Sequence, residues 1–155
     1  MSPYFARIRA AIGSELLLIP GATLFPWDEE RRILLIRHEI DGPWGLIGGA
    51  IEPDERPDDA ARREALEEVG VRVELTALRG VFGGPDYRIR YPNGDEVSYV
   101  STLFDAKIIA GTPTPDMDEV VEVRWFTTAE LVALELNSFT RASLRDAGVM
   151  STPSS

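Results

Sequence analysis

The spacing of apolar and polar positions changes several times along this chain, and each change predicts an element. Ser2 suits the N-cap of a helix with Pro3 in its first turn and Gly13 just past its end, the asymmetry expected of helix termini. From Glu15 the period shortens: "ELLLIPGATLFPW" and "RRILLIRH" read as strands, with "DEE" as the turn between them. "VELTALRGVFG", "DYRIRY" and "EVSYVSTLFDAKII" are rich in β-branched and aromatic residues and predict three more strands. "PNGD", between the last two, carries the Asn-Gly signal of a tight hairpin. "EVVEVRWF" predicts a further strand, and Thr127 with Glu130 forms a capping box for a helix through about Leu134. Asn137 is placed to cap another helix, which ends before Gly148.

Between the second strand and the later ones lies Gly48 to Val71, with three glycines, two prolines and eight acids. Pro57 fits the first turn of a helix, Asp58 and Asp59 favour its positive end, and Gly70 is placed to terminate it. Arg56 is a poor N-cap, so Glu55 or Asp54 is expected to bond the exposed amides. At about 100° per residue, Ala61, Ala65, Leu66 and Val69 are expected to pack on one arc, with Glu64, Glu67 and Glu68 together on another. Strands on both sides of this central helix, with more helix at the end, predict an α/β fold: a mixed β-sheet covered by helices on its two faces. One domain is expected over residues 1–148, followed by a disordered tail, 149–155.

A chain of 155 residues, 44% hydrophobic and 27% charged, is able to bury one core. It holds no apolar stretch long enough to span a bilayer, and Arg7 and Arg9 interrupt the N-terminal segment, which is therefore neither signal peptide nor anchor. A cytoplasmic protein with no membrane partner is the expectation. The absence of cysteine excludes disulfides, thiolate zinc sites and a cysteine nucleophile, and the single histidine, His38, excludes a histidine-rich metal site. Any metal must therefore bind oxygen. A net charge of −10 argues against a nucleic-acid polymer as partner, because that affinity rests on Lys and Arg neutralising phosphates. A phosphorylated small molecule would need metal ions to bridge it to this acidic surface.

Glu64 and Glu68 lie one helical turn apart, where like charges repel by a few tenths of a kcal/mol, and a divalent cation would turn repulsion into attraction. Carboxylates suit magnesium, calcium or manganese. Taken alone, such glutamates read as a solvated helix face. Their spacing says more. Gly49, five intervening residues, Glu55, seven more and then "REALEEVGV" resemble the signature of the Nudix hydrolases, G-x5-E-x7-R-E-U-x-E-E-x-G-U with U aliphatic. Ala65 is smaller than the usual aliphatic residue, and Ile47 stands where many members have proline before the glycine pair. The likeness is densest over Gly48 to Val71 and extends, through the order of elements, from about Leu17 to Leu134.

The resemblance implies an α/β/α sandwich and hydrolysis of a nucleoside diphosphate linked to another moiety, with Mg2+ or Mn2+. ADP-ribose or a nucleotide sugar is the first substrate class it suggests, nucleoside triphosphates the second, and a non-catalytic nucleotide sensor is the alternative. By the same likeness Glu64 and Glu68, with Glu67, are metal ligands, Arg63 orients a glutamate, and Glu55 braces the loop against the helix. Metal ions would neutralise the phosphates and acidify a water that attacks phosphorus, with a carboxylate taking its proton. Glu64 is one candidate for that base. Glu119, in the acidic loop "TPDMDE", is the other, against a solvated loop as the plain alternative.

Outside the motif, Arg37 at a strand end either reaches a phosphate or is an exposed strand-end cation. Trp44 is expected to pack beneath the loop, and Gly48 and Gly49 to permit close approach to substrate or unusual dihedrals. "DYRIRY" places Tyr87, Ile89 and Tyr91 on one strand face, for hairpin packing or for stacking on a nucleobase. In the family, a proline or a tyrosine at this distance after the motif accompanies ADP-ribose or dinucleoside polyphosphate substrates, and both Pro85 and Tyr87 stand there. The first helix and the long hairpin either serve a homodimer or cover their own sheet.

Overall fold

The computed structural model describes residues 2–151. In chain order the elements are helix α1 (Pro3–Ile12) and strands β1 (Leu17–Pro26), β2 (Ile33–Arg37), β3 (Trp44–Gly45) and β4 (Ile47–Ala50). Helix α2 (Pro57–Val69), strand β5 (Arg72–Phe82), a 3-10 turn at Pro85–Tyr87 and strands β6 (Arg88–Arg90), β7 (Glu96–Ala110) and β8 (Glu122–Phe126) follow. Helices α3 (Thr128–Leu131) and α4 (Ser138–Asp146) complete the fold.

The mixed α/β fold flanked by helices is as expected, with its strands divided between two sheets. The larger has the order β4-β1-β7-β5, with β6 also on β7; the smaller is β3-β2-β8. β1 runs parallel to β7, with Leu17–Pro26 against Val97–Ala106, and the other pairings are antiparallel. The apolar run of β2 shows how the layers are built. Leu34 and Ile36 pack in one core with Ala60, Ala61 and Ala65 of α2, whereas Ile33 and Leu35 pack in another with Phe126, Leu131 and Leu144. A strand buried on both faces has no polar positions to alternate with. Each such side chain stabilises the fold by about 1.5–3 kcal/mol relative to exposure. α1 covers a third, smaller cluster, with Phe5 on Ile19 and Val97.

Capping signals place the helix ends well. Ser2 Oγ accepts the Phe5 amide, Thr127 and Glu130 form the reciprocal box, and Asn137 accepts the Thr140 amide. α3 is only one turn long. At the start of α2, neither Glu55 nor Asp54 bonds the free amides: Glu55 is taken by Arg63, and Arg56 gives no side-chain cap. In the β6–β7 hairpin Gly94 alone supplies a positive φ, 94°, while the Tyr91 amide donates to Asp95 O over 2.8 Å. That is a turn with a glycine bulge instead of the two-residue Asn-Gly turn. Val149 and Met150 pack on the second core and bond Leu144 O, so the chain is ordered past residue 148; the rest of the expected tail, 152–155, lies outside the described residues.

Candidate active site

α2 approaches the sheets along a stripe of small residues, with Ala60, Ala61 and Ala65 fully buried. Glu64 and Glu68 lie on this stripe and not opposite it. Residues three and four apart share a helix face, so Ala60, Ala61, Glu64, Ala65 and Glu68 run together, and Leu66, expected to pack, is 52% exposed. The small alanines let the helix come close enough for two carboxylates to be carried inward at the edge strand β4.

Glu68 is 4% exposed, and its Oε1 accepts the Gly48 amide over 3.2 Å. Burial above all, then the neighbouring Glu64 carboxylate and more distantly Glu119, push the Glu68 carboxyl up to about 10 against the lowering effect of the Gly48 amide. Without a cation, the Glu68 carboxyl is thus held protonated beside Glu64. Glu67 turns outward, so the three acids do not form one cluster, and among the described residues no three acids or histidines converge into a ready-made metal site. The donor set nonetheless fits a hard divalent ion. Two oxygen-only side chains stand next to each other, one of them held by a guanidinium, and a cation would replace the proton on Glu68.

That guanidinium is Arg63. Its Nε and Nη2 fork onto Glu55 at 2.8 and 3.0 Å, its Nη1 reaches Glu64 at 2.9 Å and Glu67 at 3.2 Å, and Nη2 also donates to Ala50 O at 3.1 Å. Glu55 in turn accepts the Glu52 amide, and Arg63 foremost holds its carboxyl below the usual range. The loop before α2 and the acids on it are therefore locked together by one side chain.

The two glycines differ in what they permit, and neither has a positive φ, so unusual dihedrals are not the reason for either. A Cβ at Gly48 would meet Ala22 O at 2.5 Å, which is backbone and cannot yield. A Cβ at Gly49 would meet Glu64 Oε1 at 2.5 Å, which can swing away. Gly49→Ala is therefore expected to change stability by about 1 kcal/mol or less while lowering kcat by about a hundredfold through displacement of Glu64. Melting temperature and turnover, measured together, check this; parallel losses of both would contradict it.

A cleft of about 850 Å³ runs from these acids to α1. Gly48, Gly49, Arg63, Glu64, Glu67 and Glu68 line one side of it, and Glu119 enters from the loop before β8. Asp116 shapes that loop, its Oδ1 accepting the amides of Asp118, Glu119 and Val120. Arg37 does not reach the cleft: it stacks 4.1 Å over the buried Trp44 ring and pairs with Glu122 at 3.0 Å. Tyr87 is also elsewhere, 1% exposed with its hydroxyl donating to Asp146, because the 3-10 turn breaks the strand alternation that would have aligned it with Tyr91. The cleft is also lined by residues outside the predicted site, among them His38, Tyr91, Tyr99, Phe5 and Arg9. His38 follows Arg37 and so points to the other side of the strand, where its Nδ1 donates to Glu119 O over 2.8 Å. Tyr99 comes into view only through the pairing of Ile19 with Tyr99 across the parallel strands.

The family model of the NUDIX domain matches residues 17–147. This chain belongs to the Nudix hydrolase family. A nucleoside triphosphatase NudI from Enterobacter sp. (strain 638) is 32% identical over 117 residues, covering 74% of this chain and 82% of that protein. The crystal structure of a MutT NUDIX hydrolase from Burkholderia pseudomallei superposes with a TM-score of 0.67 at 29% identity, over 83% of this chain and 96% of that one. A Streptococcus suis ADP-ribose pyrophosphatase shares the fold, with a TM-score of 0.64 at 22% identity over 88% of this chain and 92% of that one. The Nudix hydrolases act on nucleoside diphosphate derivatives or triphosphates and generally need a divalent metal. No helix among the described residues is long and apolar enough to cross a membrane.

Proposed function

We propose that this Nudix hydrolase cleaves a phosphoanhydride bond of a nucleoside triphosphate with the help of Mg2+ or Mn2+, and that nucleoside diphosphates joined to a sugar, of the ADP-ribose type, are its second substrate class. The Glu64–Glu68 pair, Glu68 buried and Glu64 half-buried, carries the reading. The order of substrates rests on the NudI relative, whose similarity spans most of both chains, whereas the ADP-ribose pyrophosphatase is similar at the level of fold.

The cleft's own cations support a metal-bridged polyphosphate. Arg63 has its donors committed to four neighbours, and Arg9 is committed to main-chain carbonyls, so neither is free to neutralise a phosphate chain. Glu64 and Glu68 would hold the metal, with Glu67 or Glu119 drawn in from the rim. The bound ion would neutralise phosphate charge and acidify an attacking water. Glu119 makes no side-chain hydrogen bond among the described residues, which leaves its carboxylate oxygens open to take that water's proton, while Glu64 has Oε1 already occupied by Arg63. Gly49, lacking a side chain, leaves room for Glu64 to keep its place beside the backbone.

The test is a substrate panel of nucleoside triphosphates, ADP-ribose, nucleotide sugars and dinucleoside polyphosphates, run on chelator-treated protein with and without Mg2+ or Mn2+. Triphosphates are expected to give the highest kcat/KM, with at least about a hundredfold loss on metal removal. Turnover that ignores the chelator, or a panel in which no compound is cleaved, would contradict it.

A further inference from the structure

His38, just past the end of β2, touches the acidic loop before β8 through the main chain of that loop. Its Nδ1 donates to Glu119 O over 2.8 Å. A carbonyl only accepts, so Nδ1 carries the proton, as it does in one neutral tautomer and in the imidazolium alike. On the other side of the same residue, the Glu119 amide donates to Asp116 Oδ1 at 3.1 Å. Both backbone polar groups of Glu119 are therefore held, while its carboxylate makes no hydrogen bond among the described residues.

The loop needs such holding. Met117 has a φ of 66°, a left-handed conformation that a residue with a side chain keeps only where its surroundings impose it. Its amide closes on Val120 O at 2.9 Å, and Asp116 Oδ1 gathers the amides of Asp118, Glu119 and Val120. These bonds lie within the loop, so they fix its shape and not its direction. Direction comes from bonds to neighbouring elements. The Thr114 amide donates to Val69 O at 3.0 Å before the turn, the Val121 amide donates to Arg37 O at 2.9 Å after it, and His38 acts between them, on Glu119 itself. Asp118 and Glu119 are adjacent, yet Glu119 is the acid of this loop that lines the cleft.

We propose that His38 is a positioning residue for the hydrolysis: by fixing the Glu119 carbonyl it turns the Glu119 carboxylate, and not that of Asp118, into the cleft toward Glu64 and Glu68. This rests on the reading above, in which Glu119 takes the proton of the attacking water. His38→Ala is expected to lower kcat about tenfold, with KM within about twofold and melting temperature within about 2 °C, because His38 is exposed and carries little stability. Asparagine places a side-chain N–H where Nδ1 stands, whereas glutamine places it farther out. His38→Asn should therefore recover kcat to within about threefold of wild type, and His38→Gln should stay with the alanine variant. Glu119→Gln should lower kcat about a hundredfold, and His38→Ala added to it less than about twofold more, since a residue acting through another adds nothing once that one is gone. A readout without turnover is hydrogen exchange of the loop amides 118–120 in metal-free protein, which should quicken about threefold or more in His38→Ala and return toward wild type in His38→Asn.

Normal kcat in His38→Ala or in Glu119→Gln, an undiminished effect of His38→Ala in the Glu119→Gln background, recovery by glutamine as good as by asparagine, or unchanged loop exchange would each overturn the proposal and leave the hydrolase reading standing. A raised KM with kcat kept would overturn it as well, by assigning His38 to substrate binding. A wild-type protein that cleaves no nucleotide in the presence of metal sinks the hydrolase reading, and the role of His38 with it.

Discussion

Glu68→Gln is expected to lower turnover about a thousandfold and, in metal-free buffer, to make the protein more stable by about 1 kcal/mol or more. Both effects have one cause. The amide is the size of the carboxyl and its oxygen still accepts the Gly48 N–H, so packing and loop geometry are retained. The charge that a cation needs is gone, and so is the cost of burying it beside Glu64. Linkage gives the sign with pH. The Glu68 carboxyl is raised from 4.5 in the unfolded chain to about 10 in the folded one, so its contribution to stability is complete below 4.5 and fades as pH rises toward 10. Melting temperature of metal-free wild type should fall across that window, Glu68→Gln should flatten the fall, and magnesium should oppose it most at the alkaline end. A variant that melts lower than wild type, or that keeps near-normal turnover, would remove Glu68 from the role proposed for it.

That trade is the general one in which a site holds a group its fold would rather lose. It also explains why the acids look unremarkable in composition. Glu67 and Glu68 are adjacent in sequence, yet Glu67 is a rim residue paired with Arg63 and Glu68 is buried. The helical period does separate them: counted from Ala60, Glu68 closes the second turn on the alanine stripe, and Leu66 falls opposite. Treating apolar character as the mark of the buried face put Leu66 inside and Glu68 outside.

Local signals carried most of the fold. The caps at Ser2, Thr127 and Asn137, the glycine after α2 and the apolar run of β2 each involve neighbours within one or two turns of chain, and each appears in the structure. What was not legible depends on distant partners. The parallel pairing of β1 with β7 joins segments about eighty residues apart, and it is this pairing that sets Tyr99 beside Ile19 in the lining of the cleft. Arg37 and His38 show the same limit at smaller scale. Charge pointed to Arg37, but strand alternation sends it over Trp44 and sends His38 to the cleft. Tyr87 and Tyr91 would share a face on a continuous strand; the 3-10 turn at Pro85–Tyr87 separates them, burying one and leaving the other exposed.

Arg63→Met should destabilise the protein by about 2 kcal/mol near neutral pH and reduce turnover by about a hundredfold, the first because it strips carboxylates of their partner, the second because Glu64 loses its orientation. The five hydrogen bonds of this guanidinium go to Glu55, Glu64, Glu67 and Ala50, and the side chain is about a third exposed, which keeps the stability loss below that of a fully buried pair. Arg63→Lys separates charge from geometry: it keeps the cation but cannot fork onto Glu55 while reaching Glu64, so it should recover part of the stability and little of the activity. The acid limb distinguishes the two again. Because Arg63 depresses the Glu55 carboxyl, its stabilisation is present above 4.5 and is lost only as pH falls through a lower folded value. In Arg63→Met that loss has no depressed titration to follow, so the wild-type advantage in melting temperature should shrink as pH drops below 4.5, while the effect of Glu68 lies above 4.5. Stability loss that persists undiminished at low pH would show that Arg63 acts through packing of its stem, and the claim that it holds Glu55, Glu64 and Glu67 in one ionic network would fall with it.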